Sequence, residues 1–312
     1  MKAVVVAADK VPVYGDVPEP QAGGLDIVSV RAAALTNLDI TIAEGRHYFS
    51  PRAYPAIVGR EAVVSVADGR RFYLNVRAIP EPWGSMVERT VADLNLALPV
   101  PDGIADDVAA ALGNAGLAGW LPLSWRTRLA PGETVLILGA TGTSGLIAVS
   151  AAAALGAGRI VAVGRNAASL QRARALGAHH TIALGEGVDV ATEFQKLDIG
   201  GADIVVDYLN GPPAESSLEI MATGGRMVQI GSTLAPGIHL PAQLARKASL
   251  DVLGFAYYHA PVIEQRAAYQ ALCMLQMQGK VFIETQTLPL SEFATAWASQ
   301  KSGAGPRMVL TP

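Results

Sequence analysis

The sequence predicts an α/β protein in two parts: a β-rich unit drawn mainly from the first hundred residues, and a doubly wound parallel sheet covered by helices. Three observations carry this. Up to about Pro101, short β-branched segments are separated by proline and glycine; from Asp102 to about Gly254, apolar strands alternate with alanine-rich helices. Where that alternation begins, one strand runs directly into a glycine-spaced turn and a long apolar helix.

In chain order, Met1–Val6 reads as a first strand, because its β-branched run ends at Asp9 and Lys10. Ile27–Val30, Ala62–Val66, Phe72–Val76 and Met86–Val91 follow as strands, punctuated by Pro18-Glu-Pro20, Gly23-Gly24 and Pro80-Glu-Pro82. Asp106-Asp107 opens an alanine-rich helix. After Pro131-Gly132 the short continuous apolar runs Thr134–Leu138, Ile160–Val163, Ile204–Val206 and Met227–Ile230 read as strands buried on both faces. Leu250–Phe255 reads as a last strand of that sheet. Beyond it the sequence shows one clear helix, Val262–Gln278, stopped by Gly279-Lys280, and then strands at Phe282–Leu288 and Met308–Leu310.

Composition narrows the function. The 312 residues are 51% hydrophobic, enough for two cores, and 24 basic against 27 acidic side chains give no positive field to gather nucleic acid or anionic lipid. No basic tract is interleaved with aromatics. The most apolar long stretch, Leu146–Leu155, is half the length of a membrane span. The N-terminal apolar run is too short for a signal-peptide core. The single cysteine, Cys273, excludes an intrachain disulfide and any multi-cysteine zinc site. A cytoplasmic protein with small-molecule partners is expected, neither membrane-bound nor a nucleic-acid binder.

The strongest motif is Val135-Leu-Ile-Leu-Gly139-Ala-Thr-Gly142-Thr-Ser-Gly145. Gly139 permits the tight turn, Gly142 removes the Cβ that would obstruct a pyrophosphate, and Gly145 lets helix pack on strand, while the helix N-terminal amides face the anion. The spacing is G-x-x-G-x-x-G, and a tight turn without ligand is the plain alternative. Gly139, Thr141, Gly142, Thr143, Ser144 and Gly145 are therefore candidate dinucleotide contacts. An NAD enzyme places an acidic side chain at the end of the following strand to bind the ribose 2′-hydroxyl. Here the chain reads Val163-Gly164-Arg165-Asn166, with no carboxylate, and Arg165 can offer a planar fork to a 2′-phosphate. NADPH/NADP+ is expected, with Gly164 and Arg165 at its adenosine end. At the ends of the next strands, Asn210, Gly231 and Ser232 are candidates for the ribose or nicotinamide, loop capping being the other use of Asn210 and Ser232.

A series of landmarks resembles the medium-chain dehydrogenase/reductase superfamily, nearest its zinc-free quinone oxidoreductase branch. They are Thr36-Asn-Leu-Asp39, Pro55-Ala-Ile-Val-Gly59-Arg-Glu61, Trp83-Gly84, Leu98-Pro-Val-Pro-Asp102, the turn at Gly139, Gly224-Gly-Arg-Met-Val-Gln-Ile-Gly231 and Gly305-Pro-Arg-Met-Val-Leu310. The resemblance covers nearly the whole chain. It implies a GroES-like β-barrel catalytic domain (residues 1–112 and 256–312), a Rossmann NADP-binding domain (113–255), and a cleft between them for nicotinamide and substrate.

Zinc-dependent members place Cys at the position of Thr36 and His at that of Arg60, so the resemblance implies no metal; Glu61 is expected to pair with Arg60 or another buried cation. It also implies hydride transfer to an acceptor that delocalises charge, a quinone or an α,β-unsaturated carbonyl. Tyr48 matches a tyrosine lining the cleft of quinone oxidoreductases and is the first candidate donor to the forming oxyanion, with Thr36 and Arg60 beside it as catalytic candidates. Zinc-free relatives often have Asn for Thr36, a small polar residue for Arg60, and Thr for Ala118. These departures support the alternative of a non-catalytic NADPH-binding sensor or structural protein. A homodimer through the outer strand near Leu250–Phe255 is a further implication.

Overall fold

In the computed structural model, which describes residues 1–303 and 305–312, the chain divides into two units. The first comprises Met1–Asn114, Gln265–Met277 and Ile283–Pro312; the second comprises Ala115–Glu264 and Gln278–Phe282.

The first unit opens with β1 (Lys2–Val6), β2 (Pro12–Asp16), β3 (Asp26–Ala34), α1 (Asn37–Ala43), β4 (Ala56–Ile57), β5 (Ala62–Ser65), β6 (Arg71–Leu74), β7 (Arg89–Ala92) and β8 (Leu98–Pro99), and α2 (Asp106–Leu121) runs from it into the second unit after Asn114. The long strand β3 is the hub: it pairs antiparallel with both β5 and β7. Its side chains alternate between solvent and core before Ala32–Ala34 turn wholly inward, as expected where one face of a sheet is covered. A small sheet of order β2-β1-β4 lies beside it in the same unit.

The β-rich expectation for this stretch omitted α1. Its start is written in Thr36, whose side chain accepts from the Asp39 amide while the Asp39 carboxylate accepts from the Thr36 amide, a reciprocal capping box. The local cap carries this start in a segment of β-branched Ile40, Thr41 and Ile42. Tyr73 on β6 is fully buried, and its ring fills the space a side chain at Gly113 of α2 would need.

The second unit follows as β9 (Thr134–Leu138), α3 (Thr143–Ala154), β10 (Arg159–Gly164), α4 (Ala167–Ala175), β11 (His180–Ala183), α5 (Val190–Gln195), β12 (Ala202–Asp207), α6 (Pro212–Ser217), β13 (Met221–Gln229), α7 (Ala242–Ala248) and β14 (Asp251–Gly254), after which α8 (Val262–Met277) belongs to the first unit from Gln265 onward. Its six strands are all parallel, in the order β11-β10-β9-β12-β13-β14. Counted from β9, that is 3-2-1-4-5-6, the Rossmann order, with the reversal between β9 and β12. Every residue of β9 is buried, as the continuous apolar run predicts for a central parallel strand.

The chain then returns to the first unit as β15 (Thr285–Pro289), α9 (Phe293–Ser302) and β16 (Arg307–Thr311), where β16 pairs with β3. Two expectations change here. The strand read from Phe282 begins at Thr285, and a second helix, α9, buries Phe293 and Ala296 where only α8 was expected. Among the described residues, no helix is long and apolar enough to cross a membrane.

Candidate functional site

The parallel sheet fixes where the second unit's candidates lie. Gly139–Gly145, Gly164 with Arg165, Asn210, and Gly231 with Ser232 all follow the carboxyl ends of β9, β10, β12 and β13, so they share one edge of the sheet at the point where strand order reverses. Close backbone approach binds them together. Gly139 takes φ +88°, and a Cβ there would press within 3.2 Å of Tyr208 Cβ. A Cβ on Gly164 would stand 2.9 Å from Thr141 Cβ, and one on Gly231 would stand 2.5 Å from the Tyr208 carbonyl oxygen.

The three turn glycines differ in what surrounds them. A Cβ on Gly145 would strike the Gly139 carbonyl oxygen and lie 2.7 Å from Ala140 Cα, so this glycine serves helix–strand packing. At Gly142 the only atom within 4 Å would be Gly139 O, at 3.7 Å, and φ is an ordinary −85°. Neither strain nor crowding asks for glycine there. Gly142 caps α3 without a side chain, and the first amide of the helix to find a backbone acceptor is that of Leu146, donating to Gly142 O at 2.9 Å. Among the described residues, the amides of Thr143, Ser144 and Gly145 have no acceptor, which leaves an exposed, positively polarised helix start.

Asp207, at the end of β12, is buried and accepts from the amides of Leu209 (2.8 Å) and Asn210 (2.9 Å); burial pushes its carboxyl up, and those amides pull it back. The loop it shapes holds Asn210 at φ +63°, a left-handed conformation that asparagine tolerates. Asn210 Nδ2 donates to Ala235 O at 2.9 Å, so its capping use is realised, yet its Oδ1, in a residue 1% exposed, has no protein partner. The Tyr208 hydroxyl donates to Ala118 O at 2.8 Å. Arg165 is exposed directly after Gly164, and Asn166 caps α4 through the Ser169 amide. Ser232 is exposed in the loop after β13.

In the first unit the catalytic candidates separate. The Thr36 hydroxyl donates to Asp39 Oδ2 at 2.7 Å, committed to the start of α1. Arg60 is buried and donates to Trp83 O at 3.4 Å; burial lowers its pKa, while the charges of Asp39 and Glu81 raise it. Tyr48 is 73% exposed, its ring 3.9 Å from that of His47. His47 Nδ1 accepts from the Phe49 amide at 3.1 Å, which leaves Nε2 as the protonated nitrogen of the neutral ring.

Of the partners expected for Glu61, Arg60 or another buried cation, Arg60 does not pair with it. Glu61 Oε2 instead accepts from the Tyr73 hydroxyl at 2.6 Å and the Asn114 amide at 2.8 Å, and the cation whose charge reaches it is Arg307. Adjacent residues entering β5 point to opposite faces, so Arg60 and Glu61 have different neighbours. Tyr73 and Arg307 were the functional neighbours missed; β6 (Arg-Phe-Tyr-Leu) has no alternation that would single out Tyr73. Among the described residues, no three His, Cys, Asp or Glu side chains are grouped to hold a metal ion.

Residues 145–275 match the protein family described as zinc-binding dehydrogenase. In sequence, the chain is 33% identical over 276 residues to a phenolphthiocerol/phthiocerol polyketide synthase of Mycobacterium tuberculosis; the match covers 86% of this chain but 12% of that far longer polypeptide. In structure, it superposes with a TM-score of 0.80 and 29% identity on the quinone oxidoreductase of Thermus thermophilus, solved also in complex with NADPH, covering all of both chains. A mycobacterial quinone oxidoreductase, 21% identical, shares the fold over the full length of both chains with a TM-score of 0.86. With the 3-2-1-4-5-6 sheet, the glycine turn and the β-rich partner unit, these likenesses establish that the chain belongs to the medium-chain dehydrogenase/reductase superfamily and is quinone oxidoreductase-like.

Proposed function

We propose that this oxidoreductase uses NADPH to reduce a small quinone or α,β-unsaturated carbonyl compound without a metal ion. The observation that carries the proposal is the start of α3: three amides without acceptors beside a glycine that neither strain nor packing requires. That is what a pyrophosphate needs, an unobstructed approach and a set of donors. Asn210 Oδ1, buried and unpaired at the same sheet edge, offers an acceptor to a ribose hydroxyl or carboxamide. Arg165 offers the charge for a 2′-phosphate, with no carboxylate beside it to favour NADH. The Thermus relative, known in complex with NADPH, supports the same choice.

When bound, the cofactor supplies a hydride. The chain's own part is to hold the acceptor and meet the charge that develops on its oxygen. Tyr48, with its hydroxyl on an exposed ring, serves as donor there; the resemblance supports it over Thr36 and Arg60. Thr36 supports the start of α1, and Arg60 sets the local field from the interior. A hydroxyl engaged in a helix cap and a guanidinium without a free lone pair are both unsuited to bind Zn²⁺.

The same commitment of Thr36 and Arg60 favours a second reading, an NADPH-binding sensor without turnover. NADPH oxidation measured against a panel of quinones and enones separates the two. Turnover with any member supports the reductase; tight NADPH binding with no turnover on any of them supports the sensor. The homodimer implied by the resemblance would form along β14, which among the described residues pairs only with β13 and exposes its outer edge.

A further inference from the structure

The loop after α1 carries three ring-bearing residues in a row, His47, Tyr48 and Phe49. Consecutive side chains of an extended segment point to opposite sides, yet these rings gather on one another. Their centroids are 3.9 Å apart for His47 and Tyr48, 5.0 Å for Tyr48 and Phe49, and 5.6 Å for His47 and Phe49. A tight turn makes this possible. The Ser50 amide donates to the His47 carbonyl at 2.9 Å, the His47 amide to Ser50 Oγ at 3.1 Å, and the Phe49 amide to His47 Nδ1 at 3.1 Å. At the root of the loop Gly45 takes φ +73°, and the end of the Lys10 side chain lies over it, with Nζ 2.7 Å from where a Cβ would stand.

His47 enters this arrangement twice. Its Nδ1 accepts the amide two residues on, which closes the turn that carries Tyr48. Its ring also lies on that of Tyr48: at 3.9 Å, with the planes 35° apart, the contact is face to face rather than edge to face. Tyr48 is 73% exposed, so a ring with little packing around it takes its support from this neighbour. Imidazole alone offers both parts at once, since asparagine would supply the acceptor without the face and phenylalanine the face without the acceptor.

We infer that His47 is a positioning residue for Tyr48, fixing the turn through Nδ1 and the phenol's orientation through its ring. The inference rests on Tyr48 being the donor to the acceptor oxygen. It assigns His47 no contact with the substrate. An oriented hydroxyl meets developing charge without first having to be ordered, so the effect of His47 falls on kcat and not on the affinity for NADPH.

Steady-state kinetics of the full chain with NADPH and an acceptor it reduces test this. His47→Ala removes both contacts and should lower kcat about tenfold, as much as Tyr48→Phe does. His47→Asn and His47→Phe each restore one contact and should each lose only about threefold. Added to Tyr48→Phe, His47→Ala should cost nothing further in kcat, an outcome that a merely structural role would not give. Relaxation of carbon-13 in the labelled Tyr48 ring should show its order falling in His47→Ala and partly restored in His47→Asn and His47→Phe. If Tyr48→Phe lowers kcat while His47→Ala leaves kcat and ring order unchanged, the inference fails and the donor stands. Losses that multiply in the double variant would also overturn it. If Tyr48→Phe turns over like the wild type, the donor assignment fails and takes the inference with it.

Discussion

Alanine at Gly142 and at Gly145 should separate binding from folding within a single turn. In Gly142→Ala the new methyl enters open space, with its nearest neighbour at 3.7 Å, so stability should fall only by the poorer helix cap, up to about 1 kcal/mol. The same methyl stands at the cap of α3, whose first three amides have no acceptor among the described residues. Forfeiting one charge-assisted hydrogen bond to a pyrophosphate costs about 1.5–3 kcal/mol, which weakens the NADPH Kd roughly 10- to 150-fold. Gly145→Ala reverses the pattern. Its methyl meets the Gly139 carbonyl and Ala140 Cα, backbone atoms that cannot rotate away. Overpacking at the upper end of its range, about 3 kcal/mol, less about 1 kcal/mol of gained helix propensity, leaves a net loss of about 2 kcal/mol. Urea denaturation reads the stabilities and NADPH fluorescence titration reads the affinities. If Gly142→Ala bound NADPH as tightly as the wild type, the start of α3 would not be the anion site.

Arg165→Ala should weaken NADPH by about tenfold or more and leave NADH unchanged, as isothermal titration with both cofactors would reveal; equal losses for both would refute the 2′-phosphate assignment. Glu61 has a folded pKa raised from 4.5 to about 7, so its contribution to stability is fully present below about pH 4.5 and is lost as pH rises through 7. Relative to Glu61→Gln, the wild type should lose up to about 3 kcal/mol across that window in urea titrations at fixed pH, and parallel curves would contradict the shift. Tyr48→Phe should lower kcat for acceptor reduction about tenfold, less than for a buried oxyanion donor because the ring is exposed, with NADPH affinity unaltered. The proposed β14 dimer predicts a wild type that sediments as a dimer and a Val252→Lys variant, altered on that exposed strand, that sediments as a monomer; a monomeric wild type in sedimentation velocity would refute it.

What could be read in advance followed from periodicity and punctuation. β9 is bounded by Pro131-Gly132 and Gly139 and is apolar throughout, and its limits agree residue for residue with the expectation. α8 agrees to within one residue, because Gly279 stops it. Shorter elements carry too few residues for a period to emerge: α1 is seven residues long, and its signal lay in two side chains that bond each other. The candidate site divides in the same way. Turn glycines announce themselves because their chemistry is local, and Gly142 can be told from Gly145 only once the surrounding backbone is placed. Partners of Glu61 lie 12, 53 and 246 positions away in sequence, at Tyr73, Asn114 and Arg307, so adjacency favoured Arg60 and the fold chose otherwise.

Tyr73 and Gly113 give the first unit a constraint of another kind. The tyrosine ring occupies the volume of the glycine's missing side chain while its hydroxyl holds Glu61, so position 113 is governed by a residue forty positions earlier rather than by its own backbone. The two positions should therefore change only in concert. Gly113→Ala alone should be severely disruptive, while Gly113→Ala combined with Tyr73→Ala should recover part of the loss, a double-mutant cycle with strongly favourable coupling. In descendants of this chain, a side chain at 113 should be accompanied by a smaller residue at 73, and with it a different neighbour for the buried carboxylate.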